Sequence, residues 1–417
     1  EDYIRALSWP DIERESGLGR DEIESIAEVY SGAKRVVFAW GMGMTHHTNG
    51  VENIEEIANL ALLRGMIARP GAGLLPLRGH SNVQGIGTIG VKPVLAEDVA
   101  ARIEETYGIT LPTAKGMDTM ACMQAATIGD IDAAVIMGGN LYAANPNSDW
   151  AAKALNAINF KLFLTTTLNQ GHMHGIDDGD VLILPVTARD EEWEPTTQES
   201  MFNYVRLSDG GITRLENVRP ESWIVAELAK RTLPNHPIDF DTFRLHKNLR
   251  DAIARIIPGM EDIADIEVAR KEFHIRNRLL HTPEFQTASG KAHFRASALP
   301  ERANKDFPFT LATLRSEGQF NSIIYEEKDS YRGTSHRRVV MMNATDIEQM
   351  GLEPGMSVDL TSPTGTMKGV EICAYDVPPG NMLAYYPEAN VLTGTEVDPR
   401  SKTPAFKSVR VAVSASA

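Results

Sequence analysis

Cysteine is nearly absent. The 417 residues contain two, Cys122 and Cys373, too few and too far apart for a disulfide scaffold or for a cysteine-rich metal or iron–sulfur motif within the chain. Such usage suits a reducing compartment, and a cytoplasmic setting is the expectation. Basic residues are also scarce: 41 Lys and Arg against 56 Asp and Glu give a net charge of −15. That opposes the basic field a nucleic-acid polymer requires, yet it leaves a few arginines free to hold a phosphate. No apolar run approaches the ~18 residues of a membrane-spanning helix, and the first residues do not have the pattern of a secretory signal. What remains, 42% apolar and 23% charged residues, is ordinary globular composition, enough for about two to four domains.

Strands and helices alternate through the first half. Arg20–Tyr30 has acidic residues in its first turn and an apolar stripe of Ile23, Ile26, Ala27 and Tyr30, the pattern of an amphipathic helix. Arg35–Trp40 then reads as a buried strand, and Asn49 is placed to cap a helix over residues 51–67. The same beat recurs as helix 117–128, strand 133–137, helix 149–157, strand 161–165 and strand 180–185, with further helices at 220–231 and 249–257. Such alternation implies a parallel sheet covered on both faces. Residues 258–306 are mixed and charged and read as a connector. From Phe307 short β-type runs alternate with turn chemistry such as Glu353-Pro354-Gly355 and Val377-Pro378-Pro379-Gly380, which predicts a small β-barrel. Cys122, in an apolar helix, and Cys373, in a strand, are expected to be small buried hydrophobes.

Five loops carry candidate chemistry. Trp40–His47 (WGMGMTHH) lies between a strand and a helix, where glycines admit a phosphate and a helix N-terminus favours an anion; lacking a third glycine, it is alternatively a plain connection, as such glycine turns often are. Leu75–Gly85 gathers Arg78, His80, Asn82 and Gln84 in an irregular stretch, which is either a ligand loop or a solvated one. Gly138-Gly139-Asn140 ends a strand, on the side where open α/β sheets bind ligands, or forms a tight turn. Thr313–Asn321 offers five polar side chains after a strand, and Arg315 can fork onto a phosphate or carboxylate. Ala384–Asn390, with Pro404–Lys407, presents aromatic and amide groups that can read a heterocycle or simply pack a core. His172-Met173-His174 lacks zinc-ligand spacing, so no metal ligand is assigned. Neither a nucleophilic triad nor a full nicotinamide fingerprint is found.

Taken together and in order, these stretches resemble the C-terminal half of a molybdopterin-dependent oxidoreductase alpha subunit. The superfamily is that of formate dehydrogenases and dimethyl sulfoxide reductase, and the nearest branch is the formate-dehydrogenase-like YdeP family. The stretches are Trp40–Gly50, Asn59–Gly85, Met137–Asn140, Leu311–Tyr325, Tyr331–Gly333 and Ala384–Leu392, and the resemblance covers essentially the whole chain. It implies Rossmann-like α/β domains followed by a C-terminal double-psi-type β-barrel. The boundaries would be 1–88 (end of a first α/β domain), 89–240 (second α/β domain), 241–305 (helical or irregular connector) and 306–417 (dinucleotide-binding barrel).

The resemblance also implies a cofactor: molybdenum or tungsten held by two molybdopterin guanine dinucleotides. Met42, Thr45 and His46 would lie beside the pterin, His46 replacing a common Gln. Arg78 and His80 would form the catalytic pair near the metal, with Arg78 facing a small anionic substrate; His80 also replaces a common Gln, whereas Asn82 and Gln84 keep the cofactor-binding pattern. Gly138, Gly139 and Asn140 would meet a guanine dinucleotide. Thr313, Arg315, Ser316, Gln319 and Asn321 would grip pterin and pyrophosphate, and Asn390, Phe406 and Lys407 would close over them. The metal's protein ligand and any iron–sulfur cluster would come from an N-terminal half. The expected partners are therefore that half and an electron-transfer subunit, and the chain alone is expected to be inactive. The alternative is a non-catalytic scaffold of the same fold within an electron-transfer complex.

Overall fold

The computed structural model describes residues 2–276, 282–300 and 306–416. Its strands, in chain order, are β1 (Val37–Trp40), β2 (Gly73–Pro76), β3 (Ala133–Met137), β4 (Phe160–Thr165), β5 (Asp180–Pro185), β6 (Thr196–Glu199), β7 (Tyr204–Ser208) and β8 (Phe273–His274). These are followed by β9 (Phe309–Leu314), β10 (Val339–Met342), β11 (Ser357–Thr361), β12 (Thr366–Ala374), β13 (Asn381–Tyr385) and β14 (Val409–Ala415). The described residues pack as two compact units, one drawn from 1–77, 143–150 and 280–417, the other from 78–142 and 151–279.

The first unit opens with the helix Arg20–Gly32, β1, the helix Gly50–Leu63 and β2. β1 and β2 pair in parallel from Val37 opposite Gly73 to Trp40 opposite Pro76. The expected Asn49 cap is not made: the Asn49 amide donates to Asn53 Oδ1 at 3.0 Å. Instead Asp398, far along the chain, accepts from the Val51 N–H at 3.3 Å. A helix N-terminus takes whichever acceptor the tertiary fold brings nearest.

The rest of this unit contains a closed barrel in the order β10-β12-β11-β14-β9-β13. β9/β13 and β10/β12 are parallel pairs and the other four are antiparallel. Alternate side chains point inward, so Leu311, Val340, Val358, Leu360, Val370 and Val411 are fully buried. Burial of that kind contributes about 1.5–3 kcal/mol for each large aliphatic side chain. Because β9 and β13 run parallel, with Leu314 opposite Tyr385, the loops that follow them leave the barrel at the same end.

The second unit holds the parallel sheet β3-β4-β5, with Val135 opposite Leu162 and Leu162 opposite Leu182. β4 is buried from Lys161 to Thr165. The Lys161 amine is satisfied by the carbonyls of Leu155, Ile158 and Asp178 at 3.1, 2.7 and 2.9 Å, and burial lowers its pKa. The helix Thr119–Thr127, capped by Asp118, buries Met120, Met123 and Ala126. That spacing turns Cys122 to the other face, so it is exposed rather than buried, and Cys373 in β12 is only partly covered. A second sheet, β6-β7-β8, is antiparallel and packs Val205 and Phe273 against Ala252, Ile256, Ile263 and Ile266. The helix expected at 249–257 is His246–Ile256, which packs in this core, and the stretch expected as a connector adds the short strand Phe273–His274; residues 277–281 and 301–305 of it lie outside the described residues.

Candidate functional site

In the first unit, the loop after β1, the loop after β9 and the segments at 386 and 406–407 line one pocket of about 220 Å³. Its walls include Met42, His46, Thr313, Arg315, Asn321 and Lys407, together with the rings of Tyr386 and Phe406. The loop after β1 is pinned to the pocket by its backbone, since Lys407 N–H donates to the His46 carbonyl at 2.9 Å. The turn is also tight: a Cβ on Gly50 would lie 2.2 Å from the Thr45 carbonyl oxygen. The His46 ring leans on Phe406 at 5.5 Å between centroids, and Phe406 meets Tyr386 edge-on at 6.1 Å.

Two cations stand in this pocket with no carboxylate partner among the described residues. The Lys407 ammonium donates to the Thr313 carbonyl and lies 3.4 Å from its hydroxyl. Arg315 donates to Asn321 Oδ1 at 3.3 Å, and its guanidinium sits 5.6 Å from the centre of the Tyr386 ring. Burial, reinforced by the Arg315 charge, pulls the Lys407 pKa down to about 8. Burial first, then Lys407, Arg315 and His47, pull the His46 pKa down to about 4, so its imidazole is neutral at pH 7. Both shifts register the same thing, a desolvated site carrying excess positive charge.

Ser316 and Gln319 line the neighbouring framework. Ser316 N–H donates to Gln319 Oε1 at 2.9 Å, and Gln319 Nε2 donates to the Asn321 and Tyr386 carbonyls at 2.7 Å each. Both contact Arg337, a buried residue without any sequence signal of its own, because it sits in the run His336-Arg337-Arg338 that resembles a solvated surface. Asn390 is fully buried. Its amide donates to the Ala143 and Asn145 carbonyls at 2.8 and 2.9 Å, while its Oδ1 has no partner.

In the second unit Arg78 is exposed and His80 partly buried. Asn82 and Gln84 face a buried carboxylate that sequence reasoning did not mark, Glu199. Glu199 N–H donates to Asn82 Oδ1 at 3.1 Å, and Gln84 Nε2 donates to Glu199 Oε1 at 2.9 Å. Gly85 is required here, since a Cβ would lie 2.0 Å from Asn82 Oδ1. Gly138 and Gly139 both take left-handed backbone (φ 61° and 71°) at the carboxyl end of β3, a conformation suited to glycine. Asn140 is buried beside them. His172 accepts from Asn169 N–H at 3.0 Å, and His174 stacks on Tyr142 at 4.4 Å. Among the described residues no group of three His, Cys, Asp or Glu is arranged to hold a metal ion.

The donor set in the first unit fits a dinucleotide of the expected kind. Uncompensated Arg315 and Lys407 suit a pyrophosphate, and the Tyr386 and Phe406 rings suit a heterocycle, whereas Asn390 does not line this pocket.

Comparison with known proteins agrees. The chain matches the family described as molybdopterin oxidoreductase over residues 23–231 and the molydopterin dinucleotide binding domain over residues 309–410. The oxidoreductase Rv2900c of Mycobacterium tuberculosis, described as uncharacterized, is 35% identical over 95% of this chain and 53% of its own length. Protein YdeP of Escherichia coli is 33% identical over 97% of this chain and 55% of its own. The chain therefore spans about half the length of the curated relatives it matches. Acetylene hydratase from Pelobacter acetylenicus shares the fold, with a TM-score of 0.67 across 99% of this chain and 65% of that one at 14% identity.

Proposed function

Because the chain belongs to the molybdopterin oxidoreductase family and carries its dinucleotide-binding domain, we propose that it is the cofactor-clamping portion of a two-electron oxidoreductase of formate-dehydrogenase-like type. The group it would hold is a molybdenum or tungsten bis(molybdopterin guanine dinucleotide), which supplies the two-electron redox chemistry when bound. The observation that carries the reading is the pair of cations, Arg315 and Lys407, left without a counter-charge in one pocket.

In this reading Arg315 and Lys407 neutralise a pyrophosphate, which returns the Lys407 pKa toward its ordinary value. Thr313, Asn321 and neutral His46 orient the ligand through hydrogen bonds, Met42 and Thr45 border the pterin, and Phe406 and Tyr386 exclude water. Ser316 and Gln319 hold the loop that presents Arg315. Gly138, Gly139 and Asn140 contact the guanine end. Asn82 and Gln84 fix the Arg78 loop through Glu199, so that Arg78, assisted by His80, attracts a small anionic substrate and stabilises charge during turnover. In this reading the metal's protein ligand and any iron–sulfur cluster would come from an N-terminal half outside this chain, and an electron-transfer subunit would be a separate partner. A scaffold subunit that had lost its ligand would have no use for two cations without a counter-charge, which disfavours that alternative.

The test compares three variants of the full-length protein. Arg315→Met and Lys407→Met are expected to lower the guanine nucleotide released on acid treatment by about tenfold or more, the loss of at least one charge-assisted contact. Arg78→Ala is expected to keep that nucleotide near the wild-type level while turnover falls by about 10²-fold or more. Undiminished nucleotide in the first two variants, or unchanged turnover in the third, contradicts the respective role.

A further inference from the structure

We propose that Arg337 is the positioning residue of the dinucleotide pocket: it joins the two loops that present Arg315, Asn321 and Tyr386, and so sets where those groups stand. The inference rests on the proposed function and adds to it a residue that does not line the pocket itself.

Topology explains how it reaches both loops. β10 runs antiparallel to β13, with Val340 opposite Ala384, so the residues just before β10 lie beside those just after β13. β9 runs parallel to β13, so its following loop emerges at the same place. Arg337, three residues before Val340 and 2% exposed, therefore meets both. Its Nε and Nη2 donate to the two Glu388 carboxylate oxygens at 2.6 and 3.0 Å. Nη2 also donates to the Tyr386 carbonyl at 2.6 Å and to Gln319 Oε1 at 3.2 Å, and Nη1 donates to Ser316 Oγ at 2.7 Å. The guanidinium plane is flanked by the Tyr325 and Tyr385 rings at 4.3 and 4.8 Å.

The far side of this hub is the pocket. Gln319, held by Arg337, donates to the carbonyls of Asn321 and Tyr386. The Tyr386 hydroxyl donates to Asn321 Oδ1 at 3.1 Å, which also receives Arg315. One planar group with five donors thus fixes two segments that the chain separates by about seventy positions. A lysine offers three donors on a point charge and cannot make the forked contact with Glu388 while also holding Ser316, Gln319 and the Tyr386 carbonyl.

The test uses the full-length protein purified with its bound group. Arg337→Lys keeps the charge and loses the fork. Gln319→Met leaves the Arg337–Glu388 pair intact and removes the relay to Asn321 and Tyr386. Both are expected to unfold cooperatively and to carry about tenfold less guanine nucleotide per folded chain. In the fraction still loaded, the electron paramagnetic resonance signal of the metal is expected to be altered, because Arg315 and Tyr386 no longer hold the ligand in one orientation. Variants that lose thermal stability yet load nucleotide as wild type does, with an unchanged signal, would reduce Arg337 to a structural ion pair and overturn the proposal. Wild-type protein without guanine nucleotide would instead overturn the functional reading on which it stands.

Discussion

Lys407 shows how a single residue reports the purpose of a pocket. Its pKa in the folded chain is about 8, against 10.5 for an ordinary lysine, so the folded state binds fewer protons than the unfolded state between those values. Stability without ligand must then rise with pH across that window. The cost, on the order of 3 kcal/mol from the shift, is present in full below pH 8 and vanishes as pH passes 10.5. Urea unfolding of nucleotide-free protein is expected to show this rise, and Lys407→Met to abolish that component. Inorganic pyrophosphate is expected to flatten the wild-type profile by supplying the missing negative charge. His46 contributes with the same sign at lower pH: its folded pKa of about 4 lies below the usual 6.5, so stability falls as pH drops from about 6.5 to 4. In the sequence Arg315 was marked as a fork for a phosphate or carboxylate in a polar loop after a strand, and Lys407 through the family resemblance. Arg337 and Glu199 were not, because their burial depends on partners far along the chain: Glu388, Tyr325 and Tyr385 for the first, Gln84 and Thr88 for the second.

At the scale of elements, the parallel strands β3, β4 and β5 and the barrel strands β11 and β13 stand close to where their patterns placed them. Continuous or alternating apolar runs bounded by glycine and proline leave few other solutions. β6 and β8 were missed: Thr196-Thr197-Gln198-Glu199 has no apolar alternation, and Phe273–His274 is two residues long. Such strands exist only because β7 lies between them, a tertiary effect that overrides local preference. The Asn49 cap is absent for a similar reason, since a tertiary partner, Asp398, accepts from the Val51 N–H instead. The turn between Thr45 and Gly50 offers a direct check that this element positions the pocket. Gly50→Ala forces a Cβ within 2.2 Å of a backbone oxygen, so the segment carrying His46 must move. The expected cost is about 1–3 kcal/mol of stability, measured by urea denaturation, accompanied by reduced nucleotide content.

At the scale of the molecule, the loop after β1 and the closed barrel of the first unit bring residues 42–46, 313–321, 386 and 406–407 to one pocket, and none of these loops alone identifies a function. No helix among the described residues is long and apolar enough to cross a membrane. The chain spans about half the length of the curated relatives it matches. The small number of cysteines and the shortage of basic residues therefore fit one account, in which this chain supplies the anion-holding half of a redox site. The measurement that bears on it most directly is metal and nucleotide analysis of the full-length protein after acid release. The account predicts molybdenum or tungsten with two guanine nucleotides for each metal atom. Protein that is folded, and yet carries neither metal nor guanine nucleotide when produced in cells that make the cofactor, would contradict it.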